Sequence, residues 1–299
     1  MGLKKDYNMA EMAKRLPQKQ TNLHESWRMF KANKPALVSM FVVILLFVVA
    51  FIGPLVWTME DAVRQVMTDR LLPPGQEYWF GTDGLGRDNF ARVINGARVS
   101  LTMGFVPTIV SLFFGMLFGG IAAYFGKWVD NVIMRICDLI QCIPGLLLMI
   151  MISFVFGSGL TNVLIAITFV SIPGMIRGVR ALILHIVEND YIEAARACGT
   201  SEMMIMYKHV LKNAVGPLVL AGVSGISGMI MAGAGLSFLG LGIQPPYPEW
   251  GFMLATSREF LFRAPYLMWI PGFAILISIL SFNLVGDGLR DVLDPKLRR

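Results

Sequence analysis

The sequence predicts an all-α integral membrane protein with six transmembrane helices and both termini on the cytoplasmic side. Three observations carry that expectation. Of 299 residues, 55% are hydrophobic and 15% charged, and the mean hydropathy is +0.62, outside the range of ordinary soluble domains. The apolar residues gather into blocks nearly free of charge, instead of recurring at the period of an amphipathic helix or strand. Lysine and arginine are concentrated in alternate connecting segments, which sets the orientation.

A spanning helix needs about 20 apolar residues. The blocks that approach this length run from Ala36 to Trp57, Ser100 to Tyr124, Val132 to Phe156, Thr161 to Ile176, Ala214 to Leu236 and Leu267 to Val285. Arg177 and Arg180 cut the fourth short, after which the apolar pattern resumes from Ala181 to Val187. The blocks divide the chain into an N-terminal segment 1–35, a first span 36–57, an extracytoplasmic segment 58–99, a core of five further spans 100–290 and a tail 291–299. The polar N-terminal segment leads into no small-residue cleavage site, so the first apolar run is expected to stay as an anchor. Trp27, Met29 and Phe30 among basic residues make the stretch up to about Lys34 an expected interfacial helix.

The formal charge of +6 and pI near 9.3 do not indicate nucleic acid, because the basic residues flank apolar blocks and form no aromatic-laced patch. Inside segments hold Lys4 to Lys34, Lys127, Arg177 to Lys212 and Arg290 to Arg299. Outside segments hold Arg64, Arg70, Arg87, Arg92, Arg98, Arg258 and Arg263, the first five diluted by acids. Cys137, Cys142 and Cys198 lack a CxxC pattern and read as reduced packing residues. His24, His185 and His209 stand apart from one another, so no metal site is expected.

Prolines 107, 144, 173, 217 and 271 fall in five of the blocks, each removing a backbone donor and able to kink its helix. Gly115 and Gly119 have GxxxG spacing, which favours close helix approach. Asp138 is the most membrane-embedded carboxylate, with Arg135 one helical turn before it, and the two read as an interfacial pair.

The inside loop 188–212 carries the functional signal. Asp190 followed three residues later by Glu193 has capping-box spacing, so a helix is expected from Tyr191. Ala194, Ala195 and Ala197 give it high propensity and a narrow side. Gly199 can take the left-handed conformation that ends a helix, and Thr200 or Ser201 can cap the next one, which runs past Glu202 toward the fifth block. The expected product is a helical elbow held on two spans, through which a gripping partner could move both.

Glu193-Ala194-Ala195 with Gly199 four residues on resembles the EAA loop of ABC importer permeases. The resemblance extends along the chain. Gly81-Thr82-Asp83 with Gly86-Arg87-Asp88, the run Leu236-Ser237-Phe238-Leu239-Gly240-Leu241-Gly242 with Trp250-Gly251, and Gly286-Asp287 with Asp294-Pro295 are similar to the peptide/nickel branch, and within it to the "C" permease of dipeptide and oligopeptide importers.

The resemblance implies a type I ABC importer permease fold in a bacterial plasma or inner membrane. It implies a heterodimer with a homologous "B" permease, two cytoplasmic ABC ATPases and an extracytoplasmic peptide-binding protein, besides the membrane lipid. Asp190, Glu193, Ala194, Ala195, Gly199, Thr200 and Glu202 would form the ATPase-coupling loop. Many relatives carry an acidic residue three positions before the first Leu of the LSFLGLG segment, where this chain has Gly233.

Asp83, Arg87, Asp88 and Trp250 are candidates for docking the binding protein or shaping the outer mouth. The alternative for Arg87 and Asp88 is a local ion pair on a wet surface, which would stabilise little. No GxxxxGK[ST] loop is present, so ATP and Mg are expected on partner subunits, and no cofactor or catalytic residue on this chain. The competing readings are a nickel or other small-solute permease of the same family and an ion-coupled secondary transporter. The latter would place several ionisable groups near mid-bilayer.

Overall fold

The computed structural model describes residues 22–293, with side chains from residue 27 onward. The N-terminal basic residues before Asn22 and the Asp294-Pro295 motif lie outside the described residues. Among the described residues the chain is helical throughout, apart from loops and one isolated antiparallel bridge between Thr82 and Asp88.

In chain order, α1 spans Asn22–Ala32, α2 Lys34–Val56, α3 Met59–Val63, and α4 Asn89–Phe114, which continues through a π turn Gly115–Gly119 into α5 Gly120–Phe125. Then come α6 Lys127–Gln141, α7 Gly145–Phe156 and α8 Leu160–Val187. The elbow helices follow, α9 Asp190–Ala197 and α10 Glu202–Ile205, with a π turn Met206–Leu211 leading into α11 Lys212–Phe238. Finally α12 covers Trp250–Ser257 and α13 Tyr266–Leu293. Five stretches are long and apolar enough to cross a membrane, and a sixth is formed if the bent pair α6 and α7 counts as one span.

That bent pair occupies the expected span from Val132 to Phe156. Its two halves meet at 80° across Cys142–Pro144. Pro144 offers no N–H to continue the ladder, and its ring disfavours helical geometry at Ile143. Two further block ends shift for identifiable reasons. The second span begins at Asn89 and not Ser100, because the Asp88 carboxylate caps it by accepting from the Phe90 N–H at 2.8 Å. The fourth runs on to Val187, because Arg177 and Arg180 are neutralised by Asp138 and Asp130 of α6. The main partner of Asp138 is thus Arg177 on a neighbouring helix, while Arg135 lies 3.7 Å away and is largely exposed.

Close approach of α4 and α8 rests on the GxxxG pair. A Cβ on Gly119 would lie 2.7 Å from the Ile176 carbonyl oxygen, and one on Gly115 would lie 2.5 Å from the Met175 side chain. Glycine is therefore required at both. The π turn between them lets the long helix shift its register where it meets α8.

The core falls into connected clusters. Ala50, Ala97, Leu101, Ile226, Ile230, Trp250 and Phe282 join the first span to α4, α11, α12 and α13. Met103, Val163, Ile167, Leu236 and Ile243 tie α4 to α8 and α11. At the cytoplasmic end of the sequence-based topology, Phe30 is buried against Ala36 and Val292. There Asn33 caps α2, and its side-chain amide donates to the Asp291 carboxylate at 3.0 Å. The segment expected to be an interfacial helix contains α1, which is seated on the end of α13.

Candidate coupling elbow and outer cap

The elbow starts where α8 ends. Asn189 is the N-cap residue of α9, but its side chain makes no capping bond to that helix. Its amide donates backward to the carbonyls of His185 at 3.0 Å and Ile186 at 2.9 Å, closing α8 instead. The capping box expected of Asp190 and Glu193 does not form, because Asp190 is already the first helical residue. Both acids instead sit in the first turn of α9, where negative charge is favoured by the helix dipole.

The end of α9 is a Schellman turn. The Gly199 N–H donates to the Arg196 carbonyl at 2.9 Å, and the Thr200 N–H to the Ala195 carbonyl at 3.1 Å. Gly199 has φ of +78°, and a Cβ there would touch nothing within 4 Å. Its requirement is therefore conformational and not steric. Ser201 precedes α10 but makes no side-chain capping bond. Across the turn, Arg196 forks onto Glu202, with Nε donating to Oε1 at 2.8 Å and Nη2 to Oε2 at 3.3 Å. That bond pushes the Arg196 pKa up from its ordinary value.

Beneath the turn, Ile192, Ile205 and Val210 are buried against Val179, Ile183, Ile186, Ala214 and Leu218. The elbow is therefore packed onto both α8 and α11. Its outward side presents Glu193, Ala194, Gly199, Met203, Met204 and Tyr207 to solvent. Ala195 turns partly inward onto the apolar floor, and Thr200 is half-buried.

At the other end of the spans, the 81–88 segment is a tightly bonded cap. Thr82 is fully buried; its hydroxyl donates to the Asp69 carbonyl and accepts from the Leu72 N–H at 2.8 Å. Gly81 and Gly86 have φ of +67° and +71°, and a Cβ on Gly86 would lie 1.8 Å from the Val66 carbonyl oxygen. Arg87 does not pair with Asp88 on a wet surface. It is 6% exposed and bonds Asp83 through Nε at 2.7 Å, while Asp88 caps α4. Burial pushes the Asp88 carboxyl up from its ordinary value, opposed by bonds from the Phe90 and Ala91 N–H groups.

Trp250, the fourth candidate for docking or the outer mouth, lies inside the fold. It is 1% exposed, and its indole N–H donates to the Val93 carbonyl at 3.0 Å. Its neighbour Glu249, which follows Pro245, Pro246 and Pro248, carries a role that these prolines do not suggest. The fully buried Glu249 carboxylate caps α12, accepting from the Gly251 N–H at 2.7 Å and the Phe252 N–H at 2.8 Å. Ser100 of α4 donates to it at 3.3 Å, and the buried Ser237 hydroxyl of α11 stands close by without a normal hydrogen bond. Burial pushes the Glu249 carboxyl up, opposed by these N–H and hydroxyl donors. An acid directly preceding an apolar helix was the signal that could have found it.

Gly233, the position where the resemblance implies an acid, has its space filled by Met103. A Cβ there would lie 2.9 Å from the Met103 Sδ. Among the described residues no group of three or more His, Cys, Asp or Glu side chains gathers as metal ligands do. Cys142 and Cys198 are exposed and only Cys137 is buried, which corrects the reading of all three as packing residues.

Residues 115–299 match the family described as the binding-protein-dependent transport system inner membrane component. Residues 21–74 match the N-terminal transmembrane domain of oligopeptide transport permease C. The chain is 41% identical to the dipeptide transport system permease protein DppC of Alkalihalophilus pseudofirmus over 274 residues, 92% of this chain and 90% of that one. It is 43% identical to the glutathione transport system permease protein GsiD of Escherichia coli O6:K15:H31 over 283 residues, 94% and 93% of the two chains. A solved structure of the MetNI methionine ABC transporter in inward-facing conformations shares the fold, with a TM-score of 0.51 at 20% identity, covering 68% of this chain and 97% of that one. The chain therefore belongs to the binding-protein-dependent transport system inner membrane components, as a multi-pass permease of the bacterial inner membrane.

Proposed function

We propose that this permease is the "C" subunit of an ATP-driven importer of di- and oligopeptides. It pairs with a homologous "B" permease, is driven by two cytoplasmic ABC ATPases that hold the ATP and Mg, and receives peptide from an extracytoplasmic binding protein. The chain itself is non-catalytic. Its termini and the elbow lie in the cytoplasm, and the 58–88 and 240–265 segments face outward. Relatives named for dipeptide and glutathione transport support a short-peptide cargo.

The observation that carries the reading is the elbow. The two short helices and the π turn after them expose Glu193, Ala194, Met203, Met204 and Tyr207 outward while Ile192, Ile205 and Val210 bind them to two spans. A partner that grips the outward side moves α8 and α11 together. ATP-driven closure of the ATPases would act on the permease through its differential grip on the elbow in the two states. Exposed Met203, Met204 and Tyr207 give that side an apolar patch, and methionine adapts readily to a groove on a partner.

The test is affinity purification of the tagged permease from native membranes, with identification of co-purifying chains, for wild type and Glu193→Ala. Recovery of a second permease and two ATPases, with weaker ATPase retention in the variant, is expected. Reproducible isolation of this chain alone, still transporting after reconstitution, would replace the reading with a secondary carrier.

A further inference from the structure

At the membrane end opposite the elbow, a cavity of about 260 Å³ opens between the 83–92 segment and the residues from Met253 to Phe260. Its floor is charged. Arg87 and Arg92 are 6% and 2% exposed, and both face the single carboxylate of Asp83. That carboxylate is already saturated. Oδ1 accepts from the Leu85 and Arg87 N–H groups at 2.8 and 3.0 Å, and Oδ2 accepts from Arg87 Nε at 2.7 Å.

Arg92 is left standing 3.6 Å from Asp83. Among the described residues its guanidinium makes one hydrogen bond, from Nη1 to the Ala62 carbonyl at 3.3 Å. Two buried guanidinium groups against one carboxylate leave one positive charge uncompensated at the base of the cavity. A buried charge is retained where a partner answers it. At the rim, exposed Arg70, 6.0 Å over the Phe260 ring, adds a cation and exposed Glu259 adds a carboxylate, so the rim charges offset each other and the surplus stays at the base. Met253, Phe260 and Leu267 make the opposite wall apolar.

We propose that this cavity is a binding pocket for a single organic carboxylate group, with Arg92 as the buried anchor and Arg70 as the rim contact. One surplus charge matches one carboxylate, and a guanidinium edge presents parallel donors to its two oxygens. The apolar wall fits the carbon stem behind the carboxylate. Two sources supply this chemistry, the C-terminus of a short peptide and an acidic side chain of the docking protein, and the latter rests on the importer reading.

The experiment uses the assembled transporter in detergent and titrates alanyl-alanine, or its C-terminal amide, against thermal unfolding. The acid is expected to raise the unfolding midpoint and the amide to leave it unchanged. Arg92→Gln is expected to weaken the acid's effect about tenfold or more. Arg70→Gln, at an exposed rim position that leaves the fold intact, is expected to weaken it by a few-fold.

A second arm measures docking of the binding protein. Weaker docking in Arg70→Gln, with alanyl-alanine competing, assigns the carboxylate to the docking protein; unchanged docking with weakened dipeptide binding assigns it to peptide. Equal responses to acid and amide, with docking unaffected in an assembled Arg70→Gln transporter, overturn the pocket. If no binding protein attaches at all, the importer reading fails while the acid-against-amide arm still reads the pocket.

Discussion

Arg196 and Glu202 meet across Gly199 through two parallel hydrogen bonds of 2.8 and 3.3 Å, so the turn between the elbow helices is braced by side chains as well as backbone. The pair is exposed, and exposed ion pairs contribute only about 0–1 kcal/mol to stability. Its value lies in fixing the angle between α9 and α10. Reversing either charge alone, Arg196→Glu or Glu202→Arg, is expected to reduce peptide uptake without lowering the amount of permease in the membrane. The double swap should recover a substantial part of the uptake. Quantitative immunoblotting beside a labelled-peptide uptake assay checks this.

Gly199 tests the turn itself. At φ of +78° a side chain costs about 1–2 kcal/mol, although no atom lies within 4 Å to oppose it. Gly199→Val is therefore expected to remain in the membrane and to lose most uptake, because the backbone relaxes out of the left-handed region and the elbow angle changes. Gly199→Asn, which tolerates that region, should retain more. Equal uptake in the two variants would sink the conformational account.

Glu249 makes a pH-dependent prediction. Burial raises its folded-state pKa above the unfolded value, so its contribution is fully present below the unfolded pKa and is lost as pH rises through the folded one. Thermal unfolding of the purified transporter from about pH 5 to about pH 8 should show wild type losing stability relative to Glu249→Gln, whose amide oxygen can still accept one of the two N–H bonds. Glu249→Ala removes the cap and is expected to cost about 0.5–2 kcal/mol at the acidic end of this range and less as pH rises.

Gly119 reports on helix approach. A valine there would drive its Cβ to within 2.7 Å of the Ile176 carbonyl oxygen, and overpacking of this kind costs about 1–3 kcal/mol. Gly119→Val should lower the permease level in the membrane, and uptake should fall in proportion. Gly228→Val, at a helical position with nothing within 4 Å, should leave the level unchanged.

The spans were legible in sequence because their solvent demands long apolar runs, and that demand does not depend on partners. The chemistry that adjusts their ends was hidden, because it acts between segments distant in the chain. Arg177 and Arg180 read as a stop until Asp138 and Asp130 are placed beside them. Arg87 and Asp88 are adjacent in sequence yet bond in different directions, one into the cap and one onto α4. At the elbow, the left-handed Gly199 was readable from local propensity, whereas the Arg196 fork required the fold of the turn. Glu249 was obscured because a buried carboxylate looks like any surface acid until Ser100 and α12 close over it.

The seat of α1 on α13 has a consequence for biosynthesis. Asn33 and Asp291 are 258 positions apart, and a Cβ on Gly288 would lie 2.3 Å from the Ala36 Cβ. The groove that receives Phe30 does not exist until residue 292 has left the ribosome. Contacts so distant along the chain form slowly, so α1, made long before α13, waits for its seat until the last of the described spans is complete.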